Sequence, residues 1–130
     1  MSSKISILII DDNDEFMDLV GFHLNPAIFD VNTALNGPDG LQMAEKLTLD
    51  IILLDWDMPE MDGLEVLSRL KEKDETKNIP VIMLTGRSKL SEVEGAFDLG
   101  ADSYITKPVR FQELAETLKT KLKEINSMAG

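Results

Sequence analysis

Short apolar runs rich in β-branched residues alternate along the chain with longer stretches in which apolar positions recur every three or four residues, and the alternation repeats five times. The run Ile5–Ile10, interrupted only by Ser6, suits a strand buried on both faces of a parallel sheet, and it stops at Asp11-Asp12. Asn13 can cap a helix over residues 14–24, with Asp14 and Glu15 at its positive end and Phe16, Leu19, Val20 and Leu24 as the apolar stripe; Asn25-Pro26 ends it. A second strand over Phe29–Ala34 alternates in polarity, which places it nearer a sheet edge. Asn36-Gly37-Pro38 then opens a helix carrying Leu41, Ala44 and Leu47. The third strand, residues 51–54, is wholly apolar and runs into Asp55, a polar loop broken by Pro59, and a helix over residues 62–73 with Leu64, Leu67 and Leu70 on one face. After a linker at 74–80, residues 81–84 form the fourth strand, ending at Thr85-Gly86, and a helix over 88–99 closes on Gly100. The fifth strand is Ser103–Thr106. Beyond Lys107-Pro108 a last helix over 111–126 buries Leu114, Leu118, Leu122 and Ile125 and leaves a short polar tail.

This alternation implies an α/β fold with a doubly wound parallel sheet, because each parallel neighbour needs a right-handed helical crossover. Function then belongs in the crevice beyond the carboxyl ends of the strands. The length of 130 residues suits one domain with a core over about residues 4–126, and 43% hydrophobic residues can bury a core of ordinary size. The longest uninterrupted apolar stretches are four residues, against roughly 20 needed to span a bilayer, so no membrane association is expected. The start, Met-Ser-Ser-Lys, lacks the pattern of a secretory signal, and a cytoplasmic location is expected. The absence of cysteine excludes disulfides and thiolate chemistry, and a single histidine excludes a multi-histidine metal centre. With 24 acidic against 13 basic side chains, the net charge of −11 repels nucleic-acid phosphates, and direct binding to nucleic acid is not expected.

The strand ends carry the candidate chemistry: Asp11 and Asp12 after the first, Asp55 and Asp57 after the third, Thr85 after the fourth and Lys107 after the fifth. A carboxylate after a strand, taken alone, is commonly a helix cap. Together the four carboxylates repel, since two unit charges about 4 Å apart cost about 4 kcal/mol at an effective dielectric near 20, and Lys107 offsets one charge at most. A cation or protonation has to relieve the rest, and hard oxygen ligands suit Mg²⁺. A carboxylate, a hydroxyl, an ammonium and Mg²⁺ in one crevice are the components of phosphoryl transfer through an aspartyl phosphate. Asp55, at the end of a wholly apolar central strand, is the best nucleophile candidate, with Thr85 and Lys107 positioned to stabilise the transferring oxygens.

These residues closely resemble one family. Leu8-Ile9-Ile10-Asp11-Asp12 is similar to the opening of bacterial response-regulator receiver domains of two-component signalling, including those resembling chemotaxis regulators. Leu54-Asp55-Trp56-Asp57-Met58-Pro59-Glu60-Met61-Asp62-Gly63 looks like their phosphoacceptor loop. Leu84-Thr85-Gly86, Gly100-Ala101-Asp102-Ser103-Tyr104 and Thr106-Lys107-Pro108 complete the match in order and spacing. The resemblance implies a flavodoxin-like fold with strand order 2-1-3-4-5, an arrangement associated with such receivers. It further implies that Asp55 accepts phosphate from a sensor histidine kinase or histidine phosphotransfer protein. Asp12 and Asp55 would ligate Mg²⁺ directly, Asp57 through its backbone carbonyl, and Asp11 through a metal-bound water. Thr85 and Lys107 would bind the phosphoryl oxygens, and the Lys107-Pro108 bond would be cis. Tyr104 would be the aromatic switch that moves with Thr85 and changes the surface formed by the fourth helix, fifth strand and fifth helix, which a downstream effector reads.

Asp57 and Arg87 occupy the positions that tune phosphate lifetime in this family; they can pair across the mouth, raise metal affinity, or stay solvated. Trp56 is expected to be partly exposed in its loop, His23 at or near the surface, and the seven methionines to fill the core. DNA-binding relatives that pair through the fourth helix, fifth strand and fifth helix typically carry an Asp and an Arg where this chain has Ser103 and Thr117, so that dimer is not expected. Two other readings remain. Asp55-Trp56-Asp57 also looks like the nucleophile motif of haloacid-dehalogenase-type phosphatases, although that motif follows the first strand there. A receiver-shaped interaction module that is never phosphorylated is the other.

Overall fold

The computed structural model describes residues 4–87 and 89–129 and contains five strands alternating with five helices. In chain order they are β1 (Ile5–Ile10), α1 (Asp14–His23), β2 (Phe29–Ala34), α2 (Gly37–Lys46), β3 (Ile51–Asp55), α3 (Gly63–Glu72), β4 (Val81–Thr85), α4 (Leu90–Asp98), β5 (Ser103–Thr106) and α5 (Phe111–Ala129). All adjacent strands pair in parallel, in the order β2-β1-β3-β4-β5. The doubly wound parallel sheet follows from the sequence alternation, its flavodoxin-like strand order is the one the resemblance implies, and β2 with its mixed polarity lies at an edge as expected.

The central strands divide their side chains between two layers. Leu8 and Ile10, Ile52 and Leu54, and Val81 and Met83 face one apolar cluster with Val66, Leu67 and Leu70 of α3 and Ala44 of α2. Ile7 and Ile9, Ile51 and Leu53, and Ile82 and Leu84 face another with Met17 and Val20 of α1 and Leu114 and Leu118 of α5. Because both faces are covered, the strands β1, β3 and β4 carry apolar residues at successive positions rather than alternating. Each buried aliphatic side chain contributes about 1.5 to 3 kcal/mol, so these rows anchor the strands whose ends carry the chemistry.

Side-chain caps fix the helix starts. Asn13, Asn36 and Asp62 accept the N–H groups of Phe16, Asp39 and Glu65 at 3.1, 2.8 and 3.0 Å. Asp62 is therefore the cap of α3 and not its first residue, and Leu24 closes α1 by donating its N–H to Val20 O at 3.0 Å. In α1 the buried residues are Met17 and Val20, while Leu19 is exposed, so the stripe is rotated from the expected one. α4 spans Leu90–Asp98, shorter than expected; the expected start at Ser88 lies outside the described residues. α5 runs on to Ala129 because no glycine or proline interrupts residues 126–129. The methionines are divided: Met17, Met58 and Met83 are buried, but Met128 is exposed.

Candidate functional site

The sheet register sets the site. Asp55 and Thr85 are the last residues of β3 and β4, Asp55 opposite Leu84 and Thr85 opposite Thr106, so the ladder itself delivers both side chains to the carboxyl edge. Lys107 follows at the end of β5, where its N–H donates to Thr85 O at 2.8 Å, and the Lys107-Pro108 peptide is cis as expected. The Lys107 ammonium donates to Asp55 Oδ1 at 2.9 Å. Asp11, Asp12 and Asp55 bring carboxylate oxygens within 4.8 Å of one another. Asp11 and Asp55 are buried, with 1% and 2% of their surface exposed, whereas Asp12 is open to solvent.

Burial dominates the electrostatics here. Desolvation pushes the Asp11 carboxyl up to about 6, against the opposing Asn13 N–H that it accepts at 2.9 Å, and the negative charge of Asp55 adds to the rise. Asp55 is likewise held above the ordinary carboxylate range by burial, which outweighs the hydrogen bond and charge of Lys107. Burial disfavours the Lys107 charge, yet the hydrogen bond and charge of Asp55 outweigh it and hold the ammonium above its usual value.

One buried atom in this cluster has no hydrogen-bond partner: Asp11 Oδ2. A buried carboxylate oxygen left unpaired is unfavourable by about 1 to 3 kcal/mol or more, and a divalent cation held by oxygen relieves it. The all-oxygen donor set of Asp11, Asp12 and Asp55 fits Mg²⁺. The Asp57 carboxylate is not part of this set. It accepts instead from Arg87, at 2.6 Å from Nη2 and 3.3 Å from Nε, so the ion pair is the alternative the geometry takes among those open from sequence.

Trp56 departs from expectation. It is buried, with 4% exposed, because the chain folds back over it: its N–H donates to Leu84 O at 3.0 Å and its carbonyl accepts from Gly63 at 2.8 Å. Gly63 lies so close that a Cβ there would clash with Asp55 O and come within 2.7 Å of Trp56 Cα. The Arg87 guanidinium covers the indole, 5.0 Å from the ring centroid. Thr85 is buried, and its Oγ1 accepts the Arg87 N–H at 2.9 Å. Tyr104 is half-buried with its ring edge-on to Phe97, centroids 6.2 Å apart.

His23 is half-buried between Phe22 and Phe111, with Nδ1 2.9 Å from Leu19 O, as the surface reading expects. Ser103 accepts from Lys121 at 2.9 Å within the same chain. Sequence reasoning missed Glu92, which accepts from Arg87 Nη1 at 2.5 Å. The available signal was its place in the first turn of the helix after Arg87, where an acidic residue also suits the helix dipole.

Comparison with known proteins agrees with this geometry. A family model described as the response regulator receiver domain matches residues 7–119. The DNA-binding dual master transcriptional regulator RpaA of Synechocystis is 39% identical over 117 residues, covering 90% of this chain and 48% of that protein. The phosphate regulon regulatory protein PhoB of Rhizobium meliloti is 34% identical over 118 residues, covering 90% and 52%. This chain thus spans about half the length of these relatives. Among solved structures, a CheY-like receiver domain protein from Methanospirillum hungatei superposes with a TM-score of 0.85 at 31% identity, covering 97% of this chain and 99% of that one. The chemotaxis response regulator CheY4 of Vibrio cholerae gives 0.84 at 28%, covering 92% and 99%. With the match running from β1 into α5 and through every strand end that builds the crevice, the chain belongs to the response regulator receiver domain family.

Proposed function

We infer that residues 1–130 form one receiver domain, with its core over about 4–126, whose Asp55 is a phosphoacceptor, working in the cytoplasm with a sensor histidine kinase or histidine phosphotransfer protein as donor. The observation that carries this reading is the buried Asp55 carboxylate, held by Lys107 at 2.9 Å beside Asp11 and Asp12. A carboxylate oxygen of Asp55 attacks the phosphorus of a phosphohistidine already protonated on its other ring nitrogen, an O–P bond forms as the N–P bond breaks, and the ring departs as neutral imidazole keeping that proton. Lys107 and the hydroxyl of Thr85 then hold phosphoryl oxygens and offset the charge that develops on them. Asp11, Asp12 and Asp55, with the Asp57 carbonyl, would hold Mg²⁺, which when bound neutralises phosphoryl charge and the repulsion among these carboxylates.

As Thr85 turns toward the phosphoryl group, Tyr104 moves with it and the α4-β5-α5 surface changes for a downstream effector. The chain acts on itself alone, catalysing its own phosphorylation and dephosphorylation rather than turning over a separate substrate. Its charge of −11 repels nucleic-acid phosphates and supports partners that are proteins. Incubation with acetyl phosphate and Mg²⁺ should add one phosphoryl group per chain, lost in base and absent from Asp55→Asn. Equal labelling of that variant would remove Asp55 from the role, and steady turnover of small phosphate esters would favour a phosphatase.

A further inference from the structure

The Arg87 guanidinium is divided between two acids on different elements: Asp57 in the loop after β3, at 2.6 Å, and Glu92 in the first turn of α4, at 2.5 Å. It is also stacked over Trp56, and its backbone N–H is bound to Thr85 Oγ1 at 2.9 Å. One residue therefore touches the loop after the nucleophile, the hydroxyl at the end of β4, and α4. The helix it reaches is weakly held. α4 buries a single residue, Ala96, and its N-cap Lys89 makes no side-chain cap bond, whereas Asn13, Asn36 and Asp62 cap α1, α2 and α3. Leu90, the first residue of α4, is 71% exposed. The amides of Glu92 and Val93 both donate to Lys89 O, at 3.0 and 3.1 Å, and are the bonds that open if this turn frays.

We propose that Arg87 is a shared cation coupling the mouth of the crevice to the first turn of α4: a phosphoryl group on Asp55 draws the guanidinium from Glu92 and releases that turn. The inference rests on the reading of Asp55 as phosphoacceptor. Its physical basis is competition for one cation. A phosphoryl group brings a charge of about −1.5 to −2 and several acceptor oxygens that match the guanidinium fork, against one charge on each of Asp57 and Glu92. Asp57 already holds Arg87 at the mouth, and its charge reaches both Asp55 and Lys107. Movement toward the phosphoryl group keeps Arg87 near Asp57, two residues along the chain from Asp55, but forfeits Glu92, which stands on α4.

Amide hydrogen exchange at Glu92 and Val93, read in the full chain for wild type, Arg87→Gln, Glu92→Gln and the double variant, tests this. In the unmodified protein each single change should raise exchange by up to about five-fold, the scale of one partly exposed ion pair, and the double variant should add nothing further. If Glu92 acted only on the helix dipole, its substitution would keep its full effect in the Arg87→Gln background, which overturns the coupling. Acetyl phosphate with Mg²⁺ should then raise exchange at these amides in wild type and leave the variants unchanged, with phosphoryl incorporation followed by intact mass in the same samples. Phosphorylated wild type with unmoved exchange sinks the coupling alone. Absence of any incorporation sinks the phosphoacceptor reading and the coupling with it.

Discussion

Replacing Asp11 by Asn should make the metal-free protein more stable, although it removes a residue of the site. Asp11 is almost wholly buried, its Oδ2 has no partner, and its carboxyl is raised from the usual 3.8 to about 6. At about 1.4 kcal/mol per pH unit, ionising it in the folded protein at neutral pH is unfavourable by about 3 kcal/mol. The amide removes this charge and its repulsion with Asp55 and Asp12, but leaves a buried N–H₂ that is only partly satisfied, offsetting about 1 to 2 kcal/mol. A net gain of about 1 kcal/mol remains, worth roughly 3 °C in Tm.

The folded state binds its proton more tightly than the unfolded chain does. The Asp11 contribution therefore lowers stability as pH rises from 3.8 to about 6, and Asp55, raised by the same burial, acts in the same direction. Thermal and urea unfolding of both proteins in EDTA, across this range and at neutral pH, reads the effect directly. Mg²⁺ at a hundred times its dissociation constant should add about 2.7 kcal/mol to wild type and much less to the variant, reversing their order. A variant that is less stable than wild type in EDTA at neutral pH would refute the view that the cluster is held together against its own charge.

The ion pair at the mouth should slow loss of phosphate: Arg87→Ala should speed dephosphorylation about tenfold, roughly 1.4 kcal/mol in the barrier, and a cycle with Asp57→Ala should be non-additive. Simple additivity would mean that the two residues act separately. Gly63→Ala should destabilise the protein by about 1 to 3 kcal/mol in urea unfolding, because the new Cβ meets backbone of Asp55 and Trp56 that has no rotamer to change, and unchanged stability would contradict the close approach seen there. Trp56 emission should respond to Mg²⁺ in wild type and lose that response in Asp55→Asn, the indole being buried one residue from the cluster.

The strands and the site were legible in the sequence for a common reason. In a parallel sheet covered on both faces, a run such as Ile5–Ile10 is apolar throughout, and the first polar residue beyond it marks the carboxyl edge where Asp11, Asp55, Thr85 and Lys107 stand. Helix stripes were less determinate. In α1 a face containing Leu19 and one containing Met17 both satisfy the helical period, and contact with α5 selects the latter. Trp56 reads as a loop residue because acids flank it, and only the fold-back that bonds Gly63 to its carbonyl buries the indole. Glu92 stands in the first turn of α4, where an acidic residue suits the helix dipole, but its pairing with Arg87 is set by the orientation of α4 relative to the preceding loop. The Asp57–Arg87 pair was legible as a possibility because both flank motifs whose strands are neighbours in the sheet.

The most direct measurement of the central claim is the position of the phosphoryl group on the chain. After incubation with a phosphohistidine-bearing donor and Mg²⁺, borohydride reduction converts an acyl phosphate on aspartate into homoserine, which peptide mass spectrometry locates. The buried carboxylate bound to Lys107 predicts homoserine at Asp55 and nowhere else. Homoserine at Asp11, Asp12 or Asp57 instead, or none in a chain that remains folded and binds Mg²⁺, would contradict the account.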